Sequence, residues 1–201
     1  TMAERPMPRS EVRSIERPVE RREATDEQPT QITGYAALFD TPATIGGAWV
    51  EQIDRGAFDD ALGDDVRVLF NHDPSRLLGR TASGTASIAV DETGLRYTVT
   101  PPDTATGREV LELLQRGDVS GSSFGFQVLA DRWTEGTTSA DLPVRHLERV
   151  TLIDVSPVTM PAYVETTAEA RGQAFELSKH QAQLHAATAQ RRLRLAQHRV
   201  E

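Results

Sequence analysis

Between Ile32 and Val158 the large apolar residues arrive in runs no longer than a β-strand, and turn residues close most of them. Only two short stretches, residues 56–62 and 103–116, read as helix. A chain patterned this way must bury itself by pairing strands that lie far apart in sequence. Residues 32–39 form a strand that ends in the turn Asp40-Thr41-Pro42, and residues 49–53 form a short one. Residues 66–70 (Val-Arg-Val-Leu-Phe) are a strand that delivers the chain directly into Asn71-His72-Asp73-Pro74. Residues 87–90 and 95–99 flank Asp91-Glu92-Thr93-Gly94, which reads as a hairpin. The helix of 103–116 buries Val110, Leu111, Leu113 and Leu114 and stops at Gly117. Beyond the small-residue segment Ser120-Gly121-Ser122-Ser123 come a strand at 124–129, an exposed loop at 131–143 and a long strand at 147–158. No regular strand–helix–strand order is present, so the expected class is α+β, a β-rich fold or small barrel.

Two flanking segments differ in character. Residues 1–30 hold six Arg, seven Asp or Glu and four Pro with scarcely any large apolar side chain, and are expected to be a disordered charged arm. Residues 166–201 form an Ala/Gln-rich, helix-prone tail, and between Glu176 and Glu201 it carries five Lys or Arg and no acid. Residues 31–165 are left as the folded domain. The whole chain has a net charge of -8, which argues against general nucleic-acid binding, since that requires phosphate-neutralising basic surface. The absence of cysteine excludes disulfides, thiol nucleophiles and Cys-ligated zinc. No run is long enough to span a membrane and the N-terminus has no signal-peptide pattern, so an acidic, soluble, intracellular protein is expected.

Ser123 lies in Gly121-Ser122-Ser123-Phe124-Gly125-Phe126, where small neighbours let a substrate backbone approach and turn N–H groups toward an oxyanion. An ordinary Ser/Gly turn has the same composition, and Ser120 and Ser122 are chemical rivals. A serine needs a base. His72, at the end of a buried-looking strand, is the natural one; His180, His185 and His198 fall in the polar tail. A third group should orient the imidazole. Strict alternation along the last strand puts His146, Glu148 and Asp154 on one face. Asp154 stands out because it interrupts an apolar run, where an unpaired carboxylate is costly. About 20 Å of strand separates Glu148 from Asp154, so only one of them can serve the same imidazole. Neither a metal-ligand spacing nor a phosphate- or dinucleotide-binding glycine pattern occurs, so no metal and no cofactor are expected.

Phe70-Asn71-His72-Asp73, Ser122-Ser123-Phe124-Gly125-Phe126 and Asp154-Val155-Ser156-Pro157-Val158-Thr159-Met160-Pro161-Ala162 occur in that order. With Gly34-Tyr35-Ala36-Ala37-Leu38-Phe39 and Ile53-Asp54-Arg55-Gly56-Ala57-Phe58, they resemble the tailed-bacteriophage prohead protease family, relatives of the herpesvirus assemblin proteases. The resemblance spans roughly residues 15–165. It implies a compact, barrel-like β core with a few surrounding helices, with His72 and Ser123 as the catalytic pair. Family members usually carry Glu in the segment matching Asp154-Val155-Ser156, and the herpesvirus enzymes use a second histidine nearer the serine, which would favour Glu148 or His146. Asp154 is taken as the third member, with Glu148 as the alternative. The implied substrates are the scaffolding protein, the scaffold-like arm of the major capsid protein and the protease itself. The implied place is the assembling prohead in the host cytoplasm, and self-association is expected. A non-enzymatic assembly protein, and an esterase or amidase for small molecules, are the competing classes.

Overall fold

The computed structural model describes residues 10–26, 29–136 and 142–161. Its spine is an antiparallel pair of long strands, β10 (Gly121–Thr134) and β11 (Val144–Val158). Ahead of them in the chain come β1 (Ser10–Ile15), β2 (Glu20–Arg22), β3 (Gln31–Leu38), β4 (Ala43–Ile45), β5 (Trp49–Ile53), β6 (Arg67–Phe70), β7 (Asp73–Arg80), β8 (Ala86–Val90) and β9 (Gly94–Val99). One α-helix, α1 (Ala105–Arg116), precedes β10. The first sheet has the order β1-β10-β11-β5-β4, and the β6–β7 hairpin joins it through parallel pairing of β6 with β11. The second sheet is β2-β3-β9-β8.

The two sheets enclose one core. Phe124 and Phe126 stack at 4.8 Å, and Phe58 meets Phe124 edge-on at 5.7 Å. Ile32, Leu95 and Tyr97 come from the second sheet, and Val110 with Leu114 from α1. Thr104 caps α1 by accepting the Gly107 N–H at 3.2 Å. Gly117 ends it in the left-handed conformation, φ 79°, which glycine adopts at little cost.

Several expectations are corrected. The first sheet does not close into a barrel: it runs out at β1 on one side and β4 on the other, and these two do not pair. Among the described residues there is a single α-helix, and the residue 56–62 stretch contributes a 3-10 turn, Asp60–Gly63. The 131–143 loop is shorter than expected, because β10 continues to Thr134 and β11 begins at Val144. Trp133 and Trp49, packed edge-on at 5.8 Å, stabilise that extension.

The expectation of a disordered arm at 1–30 fails for the part described, since β1 and β2 are strands of the two sheets. Composition underestimates this segment because its charges are paired rather than solvated. Arg13 and Glu51 form a buried two-bond fork, and Glu11 forks onto Arg145 at 2.9 and 3.0 Å. Burial raises the Glu11 carboxyl, but Arg145 and Arg13 outweigh it, and the net effect holds the group below the ordinary carboxylate value. The tail of 166–201 lies outside the described residues. Among the described residues, no helix is long and apolar enough to cross a membrane.

Candidate active site

The site is assembled on the end of the β10–β11 pair by strand register. Ser122, Phe124 and Phe126 alternate into the core, so Ser123 and Gly125 project from the opposite face of β10. In the antiparallel ladder Ser123 lies opposite Ser156 and Gly125 opposite Asp154, which puts the Ser123 hydroxyl and the Asp154 carboxylate on one face. Gly125 is what lets the carboxylate lie there. A Cβ at that position would stand 2.4 Å from Asp154 Oδ1.

His72 arrives from β6. Pairing of Phe70 with Asp73 leaves Asn71 and His72 as a two-residue hairpin turn. Both have positive φ, 55° and 58°, as a hairpin matched to the strand twist requires. Asparagine tolerates that region, while histidine adopts it at a cost, which fits a residue constrained for use. Neighbours hold the turn in place. Asn71 N–H donates to Pro157 O at 3.1 Å, and Asn71 Oδ1 accepts the Thr159 N–H at 3.0 Å. The His72 N–H donates to Ser156 Oγ at 3.3 Å.

The imidazole lies between the two groups on the β10–β11 face. His72 Nε2 is 2.6 Å from Ser123 Oγ, and His72 Nδ1 is 2.6 Å from Asp154 Oδ2. Ser156 Oγ donates to the same Asp154 oxygen at 2.8 Å, so the carboxylate is oriented from two sides. Ser123 Oγ also lies 2.8 Å from the Arg13 carbonyl oxygen of β1 and is fully buried. The chain thus brings a hydroxyl, an imidazole and a buried carboxylate into one hydrogen-bonded line, the arrangement that transfers a proton from serine and holds the resulting imidazolium.

The other sequence candidates lie elsewhere. Glu148 is paired with Arg132 at 2.9 Å, and His146 Nδ1 is 3.1 Å from Asp54. Distance along the strand separates them from Asp154, and two residues of β11 fall out of the ladder on the way. Glu148 is skipped between the Ala130–Arg149 and Asp131–Leu147 pairs, and Ile153 between the Phe126–Leu152 and Gly125–Asp154 pairs. Ser120 is exposed, and Ser122 is buried against Tyr97 Oη at 2.9 Å rather than against His72. Desolvation raises the Tyr97 phenol pKa despite the opposing Ser122 hydrogen bond. Sequence reasoning assigned no role to Ser156 and read Gly125 as a small neighbour of Ser123 that helps shape an oxyanion site; the place Gly125 leaves for the Asp154 carboxylate is visible only once the ladder register is known. Among the described residues no cluster of three or more His, Asp or Glu is arranged to hold a metal ion.

Residues 17–181 match the family described as Caudovirus prohead serine protease. The chain belongs to that family. Among solved structures, this prohead protease is similar to the bacteriophage T4 capsid assembly protease gp21, with TM-score 0.54 and 11% identity, over 77% of this chain and 99% of that one. At that identity the likeness is one of fold. A search of curated proteins returned no match.

Proposed function

We propose that Ser123, His72 and Asp154 are the catalytic triad of this prohead protease. The observation that carries the reading is the line from Ser123 Oγ through the imidazole to Asp154 Oδ2, with 2.6 Å at each link. His72 Nε2 takes the Ser123 proton as Oγ attacks the scissile carbonyl, and Asp154 steadies the imidazolium. The proton then passes to the leaving amine, and water repeats the sequence on the acyl-enzyme. Backbone N–H groups near Phe124 receive the oxyanion. The substrates are the scaffolding protein, the scaffold-like segment of the major capsid protein and the protease itself, acting within the assembling prohead in the host cytoplasm, with self-association among its partners. Two members of the site sit on long paired strands and the third on a braced hairpin, which suits an enzyme that must keep its geometry while acting on large protein substrates.

A serine-directed phosphonate reagent tests the assignment. Peptide mapping is expected to find the adduct on Ser123, and no adduct in Ser123→Ala or His72→Ala. An adduct on Ser122 or Ser156 would overturn the nucleophile assignment.

Gly125→Ala is a second test of the geometry. The added methyl group meets the Asp154 carboxylate rather than backbone, so the carboxylate shifts and the strands need not part. A displacement on the order of 1 Å is expected to cost about 100-fold in kcat. Steady-state cleavage of a capsid-derived peptide, with circular dichroism to confirm the fold, reads this out.

A further inference from the structure

We propose that β1 is held in the active site as a strand of substrate, with Arg13–Ser14 the bond presented to Ser123, and that Glu51 makes the enzyme select a basic residue on the acyl side of the bond it cuts. This rests on the assignment of Ser123 as nucleophile.

The main chain supplies the first argument. β1 runs antiparallel to β10, with Arg13 opposite Phe124 and Ser14 opposite Ser123. The 13–14 peptide bond therefore lies beside the nucleophile. An extended peptide that adds to a sheet edge gains a ladder of backbone hydrogen bonds, while alternate side chains enter pockets. Ser123 has one hydroxyl proton and two neighbours within reach, His72 Nε2 at 2.6 Å and the Arg13 carbonyl oxygen at 2.8 Å. Among the described residues no other carbonyl hydrogen-bonds to that hydroxyl. With β1 seated, Ser123 has no exposed surface, so no substrate in trans reaches it until β1 leaves.

The pocket supplies the second. Arg13 is 8% exposed, and its guanidinium forks onto Glu51 at 2.5 and 2.9 Å while lying 5.5 Å over the Phe126 ring. Glu51 is 4% exposed and lies opposite Arg145 in the β5–β11 register. Arg145 is shared: it reaches Asp131 at 2.7 Å, Glu51 at 3.2 Å and Glu11 at 2.9 Å. Without β1, Glu51 and Asp131 share Arg145 as their cation among the described residues, and Glu51 loses both Arg13 bonds. Seating β1 buries Glu51, and a carboxylate in a buried position requires a paired cation. β1 provides one at Arg13 and adds Glu11, two residues earlier on the same strand face, to balance Arg145. The substrate pattern read from the pocket is acidic, any residue, basic, then the cut.

The step balances with water as the one added reactant. Ser123 Oγ bonds to the Arg13 carbonyl carbon as its proton passes to His72 Nε2. The Arg13 C–Ser14 N bond breaks as that proton passes to the Ser14 nitrogen. Water then adds to the acyl carbon as its proton passes to His72, the bond from that carbon to Ser123 Oγ breaks as Oγ takes the proton back, and residues 1–13 leave with a free carboxylate on Arg13.

Intact mass and N-terminal mapping of the full-length protein over time test this. Wild type and Arg13→Lys are expected to yield a product beginning at Ser14, and Ser123→Ala none. Arg13→Gln is expected to release the segment about 10- to 100-fold more slowly, the loss expected when a buried charge-assisted contact is removed. This substitution leaves the pocket itself unaltered. Phosphonate labelling of Ser123 is expected to rise in step with release. Glu51→Gln should slow release similarly, and if it fails to fold the Arg13 series still decides. A wild-type N-terminus that stays intact through residue 14 while Ser123 takes the phosphonate and cleaves capsid protein overturns this proposal alone. So does release from Arg13→Gln at the wild-type rate, or cutting only after Arg9. Absence of both the adduct and all cleavage overturns the nucleophile assignment, and this proposal with it.

Discussion

Ser123→Ala is expected to lower peptide-bond cleavage by about a million-fold, the scale of loss when the nucleophile of a serine–histidine unit is removed. The fold should survive. Ser123 contributes one hydroxyl, within reach of His72 Nε2 and of the Arg13 carbonyl oxygen, while the β10–β11 ladder is built from backbone and needs no hydroxyl at this position. Ser122→Ala makes the instructive contrast. It strips the Tyr97 hydroxyl of its partner inside the core, so it should cost about 1–3 kcal/mol of stability while leaving the chemistry in place. Urea melts paired with peptide-cleavage rates separate the two neighbouring serines: one variant stable and inert, the other less stable and active.

Asp154→Asn is expected to lower kcat by about 10⁴-fold. The buried carboxylate accepts from His72 Nδ1 and from Ser156 Oγ at once. An amide in its place cannot stabilise the imidazolium, and its NH2 group favours the tautomer with Nδ1 unprotonated, which leaves Nε2 carrying a proton and unable to accept the one from Ser123. Single-turnover cleavage rates for Asp154→Asn, with Glu148→Gln beside it, measure this. Glu148 pairs with Arg132 away from the imidazole, so its substitution should leave the rate within about twofold of wild type, as surface ion pairs generally do little.

Much of the site is legible in the sequence because local patterns deliver it. The apolar run at 66–70 ends at His72, and the small-residue segment ending at Ser123 leads into a strand whose phenylalanines are core residues. An aspartate in an apolar run announces a buried, partnered carboxylate, and Asp154 is one. What escapes is whatever depends on register between distant segments. Bulges at Glu148 and Ile153 interrupt the β11 ladder, and simple alternation does not show them. Gly125 looks like any strand glycine until Asp154 is placed opposite it. The charged arm escapes for a related reason. Its composition lacks apolar residues, yet Arg13 and Glu11 find Glu51 and Arg145, which come from strands far along the chain. Sheet closure is equally non-local, and the edges at β1 and β4 leave the first sheet open.

The most direct test of the triad is to incubate the protein, as wild type and as Ser123→Ala, with its cognate capsid and scaffolding proteins and to map the new termini by mass spectrometry. The account predicts defined new termini with wild type and none with a folded Ser123→Ala protein. The same termini appearing with Ser123→Ala would contradict it.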